Sequence, residues 1–268
     1  MATDRIFSAL SGRLSVVTGA SSGIGLAYCR LIASHGGHLL MVSNQGAELT
    51  AAAADLRATY GVDIYTLCVD LSQHDAAVAV NEAVAATGQT PVLLINNAGI
   101  FDFAPVNTLS DRRIDMYIDL HMRTMTRLCI DVSRVMAQTG EGYILNMSSM
   151  SCWMAMPGIA MYAATKAYIH TFSRALRIEL LDSGVSVTVA CPGGIATGLF
   201  GLSPRLRRLG VSIGVLATPE RFVRQALKRT LRRRPQYING LLNRLSIVVV
   251  ASLSEWARRL VKHKLLDR

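Results

Sequence analysis

The chain has 268 residues, is 51% hydrophobic and carries a formal net charge of +10. That length suits one domain, and the apolar content can bury a large core. There is no internal repeat, low-complexity tract or linker, and no uninterrupted apolar run of about 18 residues such as a membrane-spanning helix needs. The charge is uneven: residues 204–268 hold 16 Lys and Arg against three acids, a net +13, so the first 203 residues carry −3. The five cysteines (Cys29, Cys68, Cys129, Cys152 and Cys191) form no close pair. Reduced core thiols are therefore expected, with no disulfide and no metal site. The residues before the first strand lack a long apolar core, so no signal peptide is expected and the protein reads as cytoplasmic.

Leu14–Thr18 is a short, β-branched apolar run that predicts a buried strand. It leads into Gly19-Ala20-Ser21-Ser22-Gly23-Ile24-Gly25 and a helical stretch over Leu26–Ala33. Strand, glycine turn and helix form the context of a dinucleotide-binding turn. The glycines permit a tight turn and close approach of the backbone to a pyrophosphate. The helix N-terminus offers free N–H groups and a positive dipole end to that anion. A plain glycine-rich turn is the other reading of these residues. Further strand-like runs follow at His38–Val42, Ile64–Val69, Val92–Ile95, Tyr143–Met147 and Val185–Cys191, alternating with helical patterns. The alternation predicts an α/β fold with a doubly wound parallel sheet, its strands buried on both faces.

Tyr162 and Lys166 lie four apart on a helical stretch, so phenol and ammonium share one face. A nearby cation favours the phenolate and can draw its pKa from about 10 toward working pH. Such a tyrosine is a good general acid–base for a carbonyl/alcohol pair. Ser149, thirteen residues upstream, could hold the same oxygen. A Tyr-x-x-x-Lys pair also arises on ordinary solvated helix faces.

Taken together, the Gly-x-x-x-Gly-x-Gly turn, Asn96-Asn97-Ala98-Gly99 after the fourth strand, Ser149, Tyr162, Lys166 and Pro192-Gly193 resemble the short-chain dehydrogenase/reductase family from about Gly12 to Thr197. The resemblance implies a single Rossmann-type domain over 1–235, with 236–268 as a helical extension of it. It implies that Tyr162 protonates the substrate oxygen, that Ser149 orients it, and that Lys166 lowers the phenol pKa and binds the nicotinamide ribose. It assigns Gly19, Ser21, Ser22, Gly23, Ile24, Gly25, Asn97, Ala98 and Gly99 to the cofactor. Pro192, Gly193, Ile195 and Thr197 go to the nicotinamide amide, and Asp70 and Leu71 to the adenine. One position departs: His121 stands where the family has an asparagine that helps hold a proton-relaying water. Either histidine keeps that relay or it is a helix residue without a chemical role.

After the second strand, Ser43 and Asn44 stand where an NAD-dependent relative would carry an acid. The missing acid points to NADP(H), with NAD(H) as the alternative, although no basic residue replaces it. The substrate loops hold Phe101 and Phe103, then Cys152, Trp153, Met154 and Met156, then Phe200. Methionines and aromatics make an adaptable apolar pocket. A hydrophobic ketone or alcohol is expected: acyl, steroid-like, retinoid-like or aromatic. A scaffold or sensor without turnover is the competing reading, supported only by His121. Relatives associate through the helices around 112–138 and 162–181, so a homodimer or homotetramer is expected.

Thr218-Pro219-Glu220 reads as a helix start, with the helix running toward Arg232. From Gly240 the chain mixes leucines, valines and Trp256 with Arg244 and a basic cluster from Arg258 onward. One reading is a helix packed on the domain or a partner subunit, its basic residues solvated. The other is an interfacial helix that makes the protein peripheral on the inner face of an anionic membrane. Nothing resembles a nucleic-acid recognition module, so no nucleic-acid partner is expected.

Overall fold

The apolar runs become strands of one parallel sheet. In the computed structural model, residues 5–195, 205 and 216–266 are described. The strands are β1 (Leu14–Thr18), β2 (His38–Ser43), β3 (Ile64–Cys68), β4 (Pro91–Asn96), β5 (Gly142–Met147), β6 (Val185–Ala190) and β7 (Gln236–Tyr237). They pair in parallel in the order β3-β2-β1-β4-β5-β6-β7. Neighbouring strand residues alternate between two cores. Val17, Met41 and Ile95 enter one, with Tyr28, Ile32, Phe222 and Leu227. Val16, Leu40 and Leu94 enter the other, with Leu128, Val132, Ile169 and Leu176. Each large apolar side chain fully buried this way stabilises by about 1.5–3 kcal/mol. The helices that cover the sheet are α1 (Gly23–Ala33), α2 (Gly46–Tyr60), α3 (Ala76–Ala86), α4 (Asp111–Ile118), α5 (Met125–Thr139), α6 (Ala160–Glu179) and α7 (Pro219–Leu231). Two more, α8 (Leu241–Ala251) and α9 (Glu255–Leu265), close the chain.

Three features depart from the sequence reading. A seventh strand forms where the extension was expected to begin. Gln236 and Tyr237 contain no apolar run, but they pair with Val189 and Ala190 at the open edge of β6. The helical stretch around 112–138 is interrupted by a π-helical turn over Asp119–Thr124. One extra residue per turn shifts the side chains that follow, and His121 sits in this turn, buried. All five thiols are free, but Cys68 is exposed because β3 is an edge strand. Helix α7 begins as expected, with Pro219 at its first turn and the Thr218 hydroxyl accepting from Arg221 N at 3.3 Å.

Candidate active site

The sheet order reverses between β1 and β4, and their C-terminal ends diverge into a crevice. Side chains stitch these ends together. Thr18 Oγ1 accepts from Asn97 N at 2.9 Å and Ala98 N at 3.0 Å. Asn97 Nδ2 donates to Thr18 O at 2.9 Å and Gly19 O at 3.3 Å. Gly19 has φ +64, a conformation that L side chains rarely adopt. At Gly25 a Cβ would overlap the Gly19 carbonyl oxygen. Ser22 precedes α1 without a side-chain capping bond. The first N–H groups of that helix thus have no cap, which suits an anion.

A cleft of about 680 Å³ runs from this turn to the Tyr162–Lys166 face. Gly19, Ser21, Ser22, Gly23 and Ile24 line one end; Ser43, Asn44, Asp70 and Leu71 follow. Asn97, Ala98, Gly99, Tyr162, Lys166 and Pro192 line the rest. Gly25 is buried behind the turn. Gly193 and Ile195 are held from outside the cleft: Gly193 N donates to Asn239 Oδ1 at 2.8 Å, and Ile195 bridges to Ala217. Thr197 lies outside the described residues. The cleft thus joins the uncapped glycine turn at one end to the buried Lys–Tyr pair at the other, an arrangement that could hold a dinucleotide.

The Ser21, Ser43, Asn44 and Gln45 corner of the cleft is polar and uncharged. Ser21 Oγ donates to Gln45 Oε1 at 2.7 Å and lies 2.9 Å from Ser43 Oγ. Asp70, Tyr162 and Lys166 are the ionisable groups among the described lining residues. Asp70 is occupied locally, its carboxylate accepting from Ser72 N and Oγ at 2.9 and 2.8 Å.

At the other end, Tyr162 and Lys166 share the inward face of α6, and both are buried. Lys166 Nζ donates to Met147 O at 2.9 Å and lies 5.6 Å from the Tyr162 ring centroid. Burial holds the Lys166 cation down to about 8. The Tyr162 phenol is pushed up to about 12 by burial, while a hydrogen bond with Ser149 pulls the other way. The lowered phenol expected from the sequence is therefore not what this geometry gives. The ammonium donates to the Met147 carbonyl, and desolvation of the phenol outweighs the Ser149 hydrogen bond. Ser149 begins the loop after β5, its Oγ accepting from Ser151 N at 3.1 Å. Ser148 Oγ donates to Lys166 O at 2.7 Å, tying that loop to α6.

His121 is clamped beside the pair. Its Nε2 accepts from Ile100 N at 3.1 Å. Its Nδ1 faces Thr165 Oγ1 at 2.9 Å, and that hydroxyl donates to Tyr162 O at 3.0 Å. The only consistent proton placement is on Nδ1. Burial, then the charges of Lys166 and Arg113, hold its pKa well below the ordinary value, so the ring is neutral.

Of the residues expected to meet substrate, Phe101 sets its ring edge-on to Tyr162, centroids 5.0 Å apart. Phe103 is 49% exposed beside Gly158. Met154 is buried and Met156 half-buried. Trp153 turns against His170, ring centroids 4.7 Å apart. Cys152 meets Cys191 instead; their thiols hydrogen-bond, which lowers the Cys152 pKa and raises that of Cys191. Phe200 lies outside the described residues. Composition marks such side chains as apolar but carries no information on their direction. Gln45, Leu120, Met147 and Pro219 also line the cleft, beyond the residues the sequence singles out for it. Gln45, which follows Ser43 and Asn44, and Met147, the last residue of β5, lie at strand ends and are legible from that position. Below the floor, Asn96 Nδ2 donates to Asn146 Oδ1 and Asn146 Nδ2 to Ser173 Oγ, both at 2.9 Å. No local motif signals that buried network.

A family model described as short chain dehydrogenase matches residues 13–205. The chain is 32% identical over 224 residues to a 3-oxoacyl-(acyl-carrier-protein) reductase of Chlamydia muridarum, covering 82% of this chain and 90% of that one. A solved 7β-hydroxysteroid dehydrogenase superposes with a TM-score of 0.83 at 25% identity, over 95% of this chain and 99% of that one. A short-chain dehydrogenase of Sphingobium yanoikuyae in complex with NADPH gives a TM-score of 0.77 at 28% identity, over 91% and 97%.

Proposed function

This chain belongs to the short-chain dehydrogenase family, and from that premise we propose that it carries hydride between NADP(H) and a hydrophobic ketone or secondary alcohol, with Tyr162 as the acid–base. One observation carries the reading: the uncapped glycine turn and the buried Tyr162–Lys166 pair open into the same cleft. The nicotinamide supplies or accepts the hydride when bound. The chain's own residues do the rest. Gly19, Ser21, Ser22, Gly23, Ile24 and Gly25 would hold the pyrophosphate. Ser43 and Asn44 would face the 2′ position, Asp70 and Leu71 the adenine, and Asn97, Ala98 and Gly99 the crevice wall. Lys166 would meet the nicotinamide ribose; Pro192, Gly193, Ile195 and Thr197 would meet the amide.

Tyr162, held protonated by burial, donates to the carbonyl oxygen during reduction, while Ser149 hydrogen-bonds that oxygen. Proton donation by a positioned group is worth about 10²–10⁴ in rate. NADP(H) is favoured because no carboxylate stands after β2 to repel a 2′-phosphate. An apolar substrate is favoured by Phe101 against Tyr162 and by Ile100 and Leu120 in the cleft wall. The names of two matched proteins, a 3-oxoacyl reductase and a hydroxysteroid dehydrogenase, point the same way. A scaffold without turnover has only His121 in its favour, and the retained Ser149, Tyr162 and Lys166 argue against it. Homo-oligomers would cover Ile178 near the end of α6 and Leu181 just beyond it, which are 64% and 57% exposed.

The test is a screen of apolar ketones with NADPH, repeated with Tyr162→Phe. Ketone-dependent NADPH oxidation that vanishes in the variant supports the reading. Turnover of sugars with none of apolar ketones refutes the substrate class.

A further inference from the structure

We propose that α8 and α9 form a docking surface for an anionic lipid bilayer, on which the protein lies peripherally. Helix α8 presents an apolar face to solvent. Leu241, Leu242, Leu245, Val248 and Val249 recur at i, i+1, i+4, i+7 and i+8 and so share one face. All five are exposed, by 54% to 71%, and no residue of α8 is buried. The half-buried side is mixed, with Asn243 and Ser246 beside Ile247 and Val250; Asn243 Nδ2 donates to Asn239 O at 2.7 Å, and its side chain abuts Gly193. Helix α9 continues the apolar face with Trp256 and Leu260, four residues apart and 69% and 42% exposed. Tryptophan is favoured at lipid–water interfaces. An exposed apolar face of this extent marks a contact surface.

Charge selects the occupant. Residues 241–266 carry Arg244, Arg258, Arg259, Lys262 and Lys264 against Glu255 alone. A second copy related by a two-fold axis would set this patch against itself, cation facing cation. A layer of anionic headgroups complements the basic residues while its acyl region takes the leucines, valines and tryptophan. The surface also adjoins the cleft. Leu266 and Phe103 both lie over Gly158, and Asn239 and Asn243 hold Gly193, next to the cleft-lining Pro192. No helix among the described residues is long and apolar enough to cross a membrane, so the proposed contact is one of lying on the surface.

The test is flotation of the full-length chain with phosphatidylcholine vesicles, with and without phosphatidylglycerol, at low and high salt. The wild type should float with the anionic vesicles only, and high salt should weaken that binding. Leu245→Glu/Val249→Glu and Lys262→Glu/Lys264→Glu should each cut the bound fraction about tenfold or more, at unchanged Tm. Equal flotation with neutral and anionic vesicles, or none with either, overturns the proposal. So does a wild-type oligomer that Leu245→Glu/Val249→Glu splits in size-exclusion chromatography, since the occupant is then a second copy. A lowered Tm in that variant overturns it too, because the chain itself then covers the face.

Discussion

At the ends of β1 and β4, one element holds the next. Thr18 serves Asn97 and Ala98, Asn97 serves Thr18 and Gly19, and Lys166 reaches across to Met147. In α8 and α9 the side-chain bonds of Asn243 to Asn239, Arg258 to Ala251 and Arg259 to Glu255 stay within the tail itself. Both regions combine cations, aromatics and aliphatic side chains. Burial makes the difference: Lys166 is 4% exposed and its cation is weakened, whereas Trp256 is 69% exposed. A side chain fixed by several elements can be tuned for chemistry. One fixed only by its own helix presents a surface.

The contrast predicts opposite responses to substitution. Tyr162→Phe removes one buried hydroxyl and should lower kcat for ketone reduction by about 10²–10⁴, with the fold retained in circular dichroism. Leu245→Glu, in the tail, should leave kcat on a water-soluble ketone unchanged. A tail substitution that lowers kcat as far as Tyr162→Phe would erase the distinction. The next largest effect is at the turn. A Cβ at Gly25 has no room beside the Gly19 carbonyl, and overpacking of this kind costs about 1–3 kcal/mol. Gly25→Ala should therefore lower Tm and abolish measurable NADPH binding in a fluorescence titration.

The cleft was more legible in the sequence than the tail, for the same physical reason. Strands buried on both faces must be apolar throughout, so β1, β2 and β4–β6 appear as runs whose ends fall within about two residues of those observed. Tyr162, Lys166 and Ser149 are legible through spacing, because one helix turn and one loop fix their separation. Strand β7 has two residues and exists only because β6 has an open edge. The π turn that buries His121 leaves the local apolar pattern unchanged. Trp153 looks like pocket lining until its ring is seen against His170. In the tail, the stripe of leucines and valines reads as a face to be buried, yet Asn243 takes the inward side because it satisfies Asn239 and packs on Gly193.

Titration sharpens the comparison at the buried pair. The Lys166 cation is held down to about 8 by burial, so it is present below that pH and lost above it. The Tyr162 phenol, pushed up to about 12, keeps its proton throughout this window. The rate of reduction should be level below pH 8 and fall about tenfold per unit above it. A rate that rises through pH 8 would mean that the neutral amine is the working form. At the adenosine end, Asn44→Asp places a carboxylate where a 2′-phosphate would lie, and should move the kcat/KM ratio toward NADH by about tenfold or more.

The smallest effect is expected at His121, where the geometry leaves no proton to pass on. Nε2 is taken by Ile100 N, and Nδ1–H by Thr165 Oγ1, whose own hydrogen goes to Tyr162 O. Burial keeps the ring neutral, so it does not titrate in the working range. The histidine thus ties the loop after β4 to the helix that carries Tyr162. Asparagine can still accept from Ile100 N, but it is too short to hold Thr165 as well. One lost hydrogen bond of this kind costs about 0.5–1.5 kcal/mol. His121→Asn should therefore lower Tm slightly and leave kcat within about threefold of wild type, with the pH profile unmoved. A fall in kcat of about a hundredfold or more, or a shifted profile, would make the ring part of the proton path and return it to the chemistry of the cleft.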